Sequence, residues 1–314
     1  MRRRRAPAGP TIVLVLLALL GAGCGDDEND QEGSVQPQGT ELRLTMGTKD
    51  FTEAFIVGQL YRQALLAKSY KVTLRKDIGS TEVIDKELQS GRIDAYPEYL
   101  GVAVTVAAGQ EDAGSTAEET YQLAKDFYAG RGQAISKQTS FENVDAIATT
   151  QFFAQRRGLA TVDDLGQLSS FTLGARPEFE ERQQGLAGME EVYGLDNAEF
   201  REIPIGQQYR ALDRNRIDAA NVFSTDGQLA SGSYKVLEDP ERVFGFQHVA
   251  LVIDEDKLEE LGGRKFMRII DDVNGQLTTS AMIQMNRDVA IDGQDPAIVA
   301  ERFLRSAGLL QEGG

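Results

Sequence analysis

The sequence contains two copies of one pattern, and this repetition limits the possible fold more than any other feature. The segment 44–51 (LTMGTKDF) resembles 171–179 (FTLGARPEF), and the segment 91–99 (GRIDAYPEY) resembles 215–223 (NRIDAANVF). Counted from the glycine of the first part to the isoleucine of the second, the spacing is 46 positions in one copy and 43 in the other. Two matches in the same order at nearly the same spacing predict two similar units within one chain.

Alternating strand and helix periods run through the first copy. Residues 42–46 place an apolar side chain at every second position, as in a strand, and the apolar residues of 51–66 trace one face of a helix. Asp50 and Glu53 are expected to cap the start of this helix as a pair. The other elements predicted in this copy are a strand at 72–74, a helix from 80–81 to Gly91 and a strand at 93–96.

Strands that alternate with helices predict parallel sheets, and the chain is therefore expected to form an α/β fold with two lobes. The first lobe is predicted at 41–145 and the second at 146–245. The tail 246–314 is expected to return to the first lobe, with a strand at 249–253 and a helix that has Pro296 in its first turn.

Two such lobes leave a cleft between them, at the carboxyl ends of the strands where open sheets bind ligands. Tyr99 and Phe223 occupy equivalent places, four residues after the alanine of each repeat. We therefore expect both rings to face the cleft from opposite walls. The alternative is that both are ordinary core aromatics, as most buried aromatic residues are.

The N-terminal segment has the pattern of an export signal. Four arginines (Arg2 to Arg5) precede an apolar run at 12–20, small residues at 21–23 and Cys24, the single cysteine of the chain. This order predicts a signal peptide at 1–23. Cys24 after small residues resembles a bacterial lipobox, although Leu20 lies one place earlier than usual, and it predicts lipidation at Cys24. The alternative is an ordinary signal with a chance cysteine.

Residues 24–40 hold almost nothing apolar and are predicted to form a flexible acidic tether. The tether would follow the lipid on Cys24, so the protein is expected to be exported and attached to the membrane by that lipid.

Composition argues against several functions. The net charge of −16 at pH 7 is unsuited to nucleic acid, whose phosphates require a basic surface. The chain has one histidine, His248, which is expected to be structural, and it contains neither a phosphate-binding loop nor a zinc motif. No activated nucleophile is visible, so an enzyme is the less favoured interpretation, although a pair of carboxylates acting on a glycoside stays open. No cofactor or metal is expected.

Several segments together resemble one family, the substrate-binding proteins of osmoprotectant ABC transporters, which take up glycine betaine, choline, carnitine and related quaternary amines. The segments that carry the resemblance are 47–53, 79–82, 91–101, 176–185 and 223–227. The resemblance covers about 42–305. It implies a periplasmic-binding-protein fold of the class with two crossover connections, a small amine ligand, and a membrane permease with a cytoplasmic ATPase as partners. A sensor or receptor without transport is the alternative within the binding class.

The resemblance also implies cationic residues that hold a ligand carboxylate. The family's lysine falls on Lys49 and its arginine on Arg182, while Arg176, the repeat partner of Lys49, is a rival. Lysine and arginine suit a carboxylate, and arginine can bind it through two parallel hydrogen bonds.

The family's aromatic cage around the ammonium is only partly present here. Its tyrosines fall on Tyr99, Phe223, Asp145 and Gln247, with Phe246 as the alternative to Gln247, and its threonine falls on Val102. A quaternary ammonium donates no N–H bond and is recognised by aromatic faces and nearby negative charge. Asp145 is expected to act as a counter-charge. A quaternary amine is therefore the first expectation, and a primary amine, an amino-acid-like compound or a guanidino compound is the alternative.

Overall fold

The computed structural model describes residues 41–111 and 113–311, so the predicted signal peptide, Cys24 and the tether lie outside the described residues. The described strands are β1 (Arg43–Gly47), β2 (Lys71–Arg75), β3 (Ala95–Tyr99), β4 (Gln133–Ile135), β5 (Asp145–Thr150), β6 (Phe171–Ala175), β7 (Ala198–Glu202), β8 (Ala219–Phe223), β9 (Tyr234–Leu237) and β10 (Val249–Asp254).

The described α-helices are α1 (Thr52–Leu66), α2 (Thr81–Gln89), α3 (Leu100–Val102), α4 (Ala117–Ala129), α5 (Gln151–Arg157), α6 (Leu186–Tyr193), α7 (Gln208–Asp213), α8 (Glu255–Glu260), α9 (Arg264–Gln276), α10 (Thr279–Ala290) and α11 (Pro296–Ser306). A π-helical turn at Ala103–Ala107 continues α3, and short 3₁₀ turns lie at Asp163–Gln167, Pro177–Phe179 and Gly227–Ser231. No helix in the described part of the chain is both long and apolar enough to cross a membrane.

Two five-stranded sheets organise these elements into an α/β fold. The first has the order β2-β1-β3-β10-β4, and the second has the corresponding order β7-β6-β8-β5-β9. We call the first sheet with its helices lobe 1 and the second lobe 2. The exact lobe boundaries at 145–146 and 245–246 stay a prediction.

The expectation of purely parallel sheets is wrong for one strand in each sheet. β10 runs antiparallel to both β3 and β4, and β5 runs antiparallel to both β8 and β9. Each of these strands enters its sheet directly from the other sheet. No helix connects it to a neighbouring strand, and a parallel pair requires such a crossover.

The repeated glycine and isoleucine touch each other in both lobes. A Cβ atom at Gly47 would lie 2.8 Å from Ile93 Cδ1, and one at Gly174 would lie 2.5 Å from Ile217 Cδ1. Both distances are shorter than a real carbon–carbon contact allows, so only glycine lets the first strand and the isoleucine pack this closely.

The repeated aspartate serves the same purpose in both lobes. Asp94 Oδ2 accepts a hydrogen bond from the Thr45 amide at 2.7 Å, and Asp218 Oδ2 accepts one from the Thr172 amide at 2.9 Å. Each aspartate therefore fixes the turn before its own strand, β3 or β8, to the backbone of the neighbouring strand, β1 or β6. β3 begins at Ala95 rather than at position 93, because the residues before it form this turn.

The predicted capping pair at the start of α1 is wrong. Phe51 occupies the capping position and no side chain caps it. The Glu53 side chain instead turns inward, where it is 3% exposed. α1 packs against α9, α10 and α11 over the lobe 1 core, and it also contacts β3.

Candidate ligand-binding site

A cavity lies where the carboxyl ends of β3 and β8 face the start of α1. It encloses about 510 Å³ of empty space, including its mouth. Its lining residues are Lys49, Asp50, Phe51, Ser80, Thr81, Tyr99, Val102, Asn143, Asp145, Arg176, Glu178, Arg182, Ile205, Phe223 and Gln247.

Almost all of the residues proposed from the sequence line this cavity. Those that line it are Lys49, Tyr99, Val102, Asp145, Arg176, Arg182, Phe223 and Gln247. The alternative position, Phe246, is not part of the wall, and the Arg242 guanidinium carbon lies 5.4 Å from its ring centroid. The structure thus places Gln247, and not Phe246, at this wall.

Three aromatic rings form one wall. Phe51 lies between the two repeat aromatics, with its ring centroid 5.6 Å from that of Tyr99 and 5.4 Å from that of Phe223. Phe51 and Phe223 are nearly parallel, at 24°. The sequence interpretation assigned Phe51 only to a helix face. The signal that could have identified it is its place two residues after Lys49 in a segment that carries the family resemblance.

Lys49 is a buried cation with its own counter-ion. Its Nζ donates to Thr81 Oγ1 at 2.7 Å and forms a salt bridge with Glu98, which is fully buried. Burial lowers the pKa of Lys49, and the adjacent Glu98 opposes this shift. Nζ also lies 5.1 Å from the Tyr99 ring centroid. The charge of Lys49 is therefore largely balanced within the protein.

Arg176 and Asp145 form a second buried ion pair. Arg176 Nη1 and Nη2 donate to the two Asp145 carboxylate oxygens at 2.7 and 2.9 Å, and the Asn221 amide donates to the same carboxylate at 2.8 Å. The Arg176 guanidinium carbon lies 5.4 Å from the Phe223 ring centroid. Asp145 lines the cavity, but its charge is matched by an arginine of its own lobe.

Arg182 is the least satisfied cation of the site. Nη2 donates to Glu82 Oε1 at 2.9 Å, across from lobe 2 to lobe 1. Partial burial alone would raise the pKa of Glu82, but hydrogen bonds from Ser80 and Arg182 lower it to about 2. Arg182 Nε is buried and has no hydrogen-bond partner among the residues that the structure describes.

Gln247 joins the two lobes beside Val102. Its Oε1 accepts from the Val102 amide at 3.1 Å, and its Nε2 donates to Gln184 Oε1 at 2.9 Å. A Cβ at Gly101 would lie 2.6 Å from the backbone oxygen of Phe246 and 2.6 Å from Gln247 Nε2, so this close approach requires a glycine. Both polar ends of Gln247 are thus used within the protein.

Glu53 lies directly beneath the aromatic wall, and sequence reasoning missed it because its spacing from Asp50 fits a capping pair. Its carboxylate accepts four hydrogen bonds, from Tyr99 Oη at 2.9 Å, Asn143 Nδ2 at 2.8 Å, Asn286 Nδ2 at 2.7 Å and the Thr225 hydroxyl. Burial raises the pKa of Glu53, and these hydrogen bonds oppose the shift. Because Thr225 follows β8, Glu53 ties lobe 1 to lobe 2.

The His248 ring faces two backbone carbonyl oxygens. Its Nδ1 lies 3.0 Å from the Thr139 carbonyl oxygen and 2.9 Å from that of Phe141. Within 41–111 and 113–311, no three side chains of the histidine, cysteine, aspartate and glutamate types come together as a metal site.

Two similar lobes, two crossings of the chain and a cavity lined from both sides define a two-lobed solute-binding protein. The chain belongs to the family described as the substrate binding domain of ABC-type glycine betaine transport systems, which matches residues 43–306. It has the periplasmic-binding-protein fold expected from the sequence.

Individual relatives agree with this assignment. A glycine-betaine-binding protein of Pseudomonas aeruginosa is 30% identical over 282 residues, which cover 86% of this chain and 89% of that protein. An ergothioneine transport permease/ergothioneine binding protein of Helicobacter pylori is 25% identical over 281 residues, and the chain spans only 48% of its length. A crystal structure titled as a glycine betaine/carnitine/choline ABC transporter is 25% identical, with a TM-score of 0.69 over 85% of this chain and 99% of that one.

Proposed function

We propose that this chain captures a small betaine, a molecule with a quaternary ammonium and a carboxylate, for an ABC importer. The observation that carries the proposal is the aromatic wall of Phe51, Tyr99 and Phe223 in one cavity with the incompletely bonded Arg182. The named ligands of the two relatives, glycine betaine and ergothioneine, both carry a trimethylammonium and a carboxylate, which supports this class.

The aromatic wall suits the ammonium end. A trimethylammonium group has no N–H to donate and is attracted to the negative face of an aromatic ring. Phe51 and Phe223 lack hydroxyl groups, so neither ring carries a polar group that would need a hydrogen-bond partner. The Phe223 position, where the family has a tyrosine, thus keeps an aromatic ring.

Arg182 suits the carboxylate end. Lys49 and Arg176 already have buried carboxylate partners, Glu98 and Asp145. Arg182 is paired only with Glu82, whose side chain is 41% exposed, and its Nε retains a free donor among the described residues. A ligand carboxylate would satisfy that donor through a charge-assisted hydrogen bond.

The alternative ligand, a primary amine or a guanidino compound, was based on Asp145 as a free counter-charge. Its two oxygens already accept three hydrogen bonds from Arg176 and Asn221. An N–H-donating cation would have to displace Arg176. The proposal therefore assigns Asp145 to positioning Arg176 rather than to contacting the ligand.

Isothermal titration calorimetry on the purified full chain tests this function. Glycine betaine should bind more tightly than glycine, which lacks the methyl groups, and more tightly than choline, which lacks the carboxylate. Arginine should bind weakly. Tight binding of arginine or a primary amine, with no binding of betaines, would overturn the proposal.

Matched variants test the two ends separately. Phe51→Ala should weaken glycine betaine binding by about tenfold, because a desolvated cation–aromatic contact contributes roughly 1–2 kcal/mol. Phe152→Ala removes a phenylalanine that is 71% exposed on α5 and should have no effect. Arg182→Gln should weaken binding by about tenfold or more, while Arg156→Gln, on the exposed surface of α5, should not.

The remaining parts of the proposal concern location and partners. The protein is proposed to be exported by the signal at 1–23, lipidated at Cys24 and held to the membrane through the tether 24–40. Its closed form would deliver ligand to a permease subunit with a cytoplasmic ATPase. Metabolic labelling with an alkyne fatty acid should mark the wild-type protein and not Cys24→Ser. Equal labelling of both would exclude this anchor.

A further inference from the structure

A second cavity adjoins the first, and residues of both lobes line it. It encloses about 440 Å³ of empty space, including its mouth, and it shares Phe51 and Phe223 with the first cavity. Its lining also includes Gly206 and Ala290, which are both exposed. A small ion can therefore enter this cavity from the solvent without passing through the first one.

The described wall of this cavity carries negative charge and no positive charge. α1 of lobe 1 contributes Glu53, and the segment after β8 of lobe 2 contributes Asp226, whereas the lining includes neither lysine nor arginine. Burial raises the pKa of Asp226 to about 6, and the nearby charge of Glu53 adds to this shift. The two carboxylates thus repel each other where the lobes meet.

Glu53 is a buried carboxylate whose hydrogen-bond donors are all neutral. It is 3% exposed, and it accepts from one tyrosine, one threonine and two asparagine side chains. Glu98 and Asp145, by contrast, each form a salt bridge with a cationic residue of the protein. Because buried charges in proteins are normally paired or coordinate a metal ion, Glu53 is suited to a counter-charge that comes from the solvent.

Two buried amide oxygens in the same wall lack a donor. Asn143 and Asn286 are each 4% exposed, and the Nδ2 of each donates to the Glu53 carboxylate, at 2.8 and 2.7 Å. These bonds fix which end of each amide is the nitrogen. Both Oδ1 atoms are then left without a hydrogen-bond partner among the described residues. Amide and carboxylate oxygens are the ligands that hard cations prefer.

We propose that this cavity binds a monovalent alkali cation, sodium or potassium, between the two lobes. The Asp226 carboxylate, Asn143 Oδ1 and Asn286 Oδ1 are its protein ligands, and the ion supplies the counter-charge of Glu53. A divalent ion is less suited, because calcium takes about six to eight oxygen ligands. Both oxygens of Glu53 already accept two hydrogen bonds each. The site contains two acidic side chains, so it differs in composition from a transition-metal centre.

Thermal unfolding of the purified full chain in different chloride salts tests this site. At equal chloride concentration and pH, sodium or potassium at about ten times its dissociation constant should raise the melting temperature by about 3 °C over N-methylglucamine, which is too large to fit between the amide oxygens. Equal melting temperatures in all salts would overturn the proposal and leave water as the occupant of the cavity. A rise in calcium chloride alone would overturn the assignment to a monovalent ion. Because no betaine is present in this assay, none of its outcomes decides the proposed function.

Three variants connect the effect to this cavity. Asp226→Asn removes one charge, keeps an oxygen for the donors of Asp226, and should abolish the difference between sodium and N-methylglucamine. Gln228→Lys places an ammonium in the same wall, where it replaces the ion, so it should abolish the difference as well and tests the site even if Asp226→Asn fails to fold. Gln183→Lys adds the same charge outside this cavity and should keep the difference. If either folded variant of the cavity keeps the full difference, the ion binds elsewhere and the proposal is wrong.

Discussion

Replacing Arg176 by methionine should destabilise the protein by about 3–5 kcal/mol, because the change removes one partner of a buried ion pair and leaves the other charge uncompensated. Arg176 is 9% exposed and Asp145 is 6% exposed, and two parallel bonds of 2.7 and 2.9 Å join them. The Asn221 amide continues to donate to Asp145 at 2.8 Å. This remaining bond places the expected loss toward the lower end, about 3 kcal/mol.

The double variant Arg176→Met with Asp145→Leu supplies the matching test. Removing both charges replaces the pair with apolar groups, and such exchanges are often neutral or stabilising. The double variant should therefore be more stable than Arg176→Met alone. The control is Arg305→Met, which removes a partly exposed pair with Glu301 and should cost less than about 0.5 kcal/mol.

Urea denaturation of the full chain, followed by far-ultraviolet circular dichroism, measures these free energies. A loss below about 1 kcal/mol for Arg176→Met would contradict the argument that the pair is internally balanced. A double variant that loses the sum of both single losses would contradict it as well. If Arg176→Met is stable but no longer binds glycine betaine, Arg176 contacts the ligand and the assignment of the carboxylate to Arg182 is wrong.

Three further changes test the joint between the lobes. In urea denaturation, Gly227→Ala should destabilise the protein by about 1–3 kcal/mol, because the added Cβ would lie 2.5 Å from the backbone of α10. The control is Gly275→Ala in α9, which has no atom within 4 Å of the added Cβ and should be neutral or stabilising. Equal effects of the two variants would refute this prediction. Tyr99→Phe removes a hydrogen bond from a buried carboxylate and should cost about 1–3 kcal/mol in the same assay; no loss would show that water replaces the hydroxyl. Burial raises the pKa of Asp226 to about 6, so the folded state favours its protonated form and stability should fall as the pH rises from about 4 to about 6. Asp226→Asn should flatten that slope in melting temperatures measured at pH 4.5 and 7.5, and an unchanged slope would assign it to other groups.

The two-lobed fold could be predicted because the contacts that define each lobe recur at nearly the same sequence separation. The glycine before the first turn meets an isoleucine about 45 positions later in both copies, and the aspartate next to that isoleucine bonds the first strand. Such contacts leave a residue pattern that a single sequence reveals. The antiparallel strands β5 and β10 leave no such pattern, because the direction in which a strand enters a sheet depends on the connection and not on its residues.

Most of the residues that line the cavity could be predicted from the sequence, but their charge balance could not. Tyr99 and Phe223 are equivalent within the repeat, and both line the cavity. The partner of Asp145 is 31 residues away, directly after β6 of the same sheet, and nothing local marks it. Glu53 was hidden for a different reason. Its spacing fits a capping motif, and only tertiary packing decides whether such a carboxylate turns to the helix end or to the interior.

The two ion pairs also determine which aromatic face is open to a ligand. Lys49 Nζ lies 5.1 Å from the Tyr99 centroid, and the Arg176 guanidinium carbon lies 5.4 Å from the Phe223 centroid. The protein's own cations thus already interact with these two rings. Among the described residues, Phe51 has no such cation, although it contacts both rings. A quaternary ammonium gains most from a ring that no other cation occupies. For this reason Phe51, which the sequence interpretation assigned to packing, is expected to contribute more to ammonium recognition than either aromatic residue of the repeat.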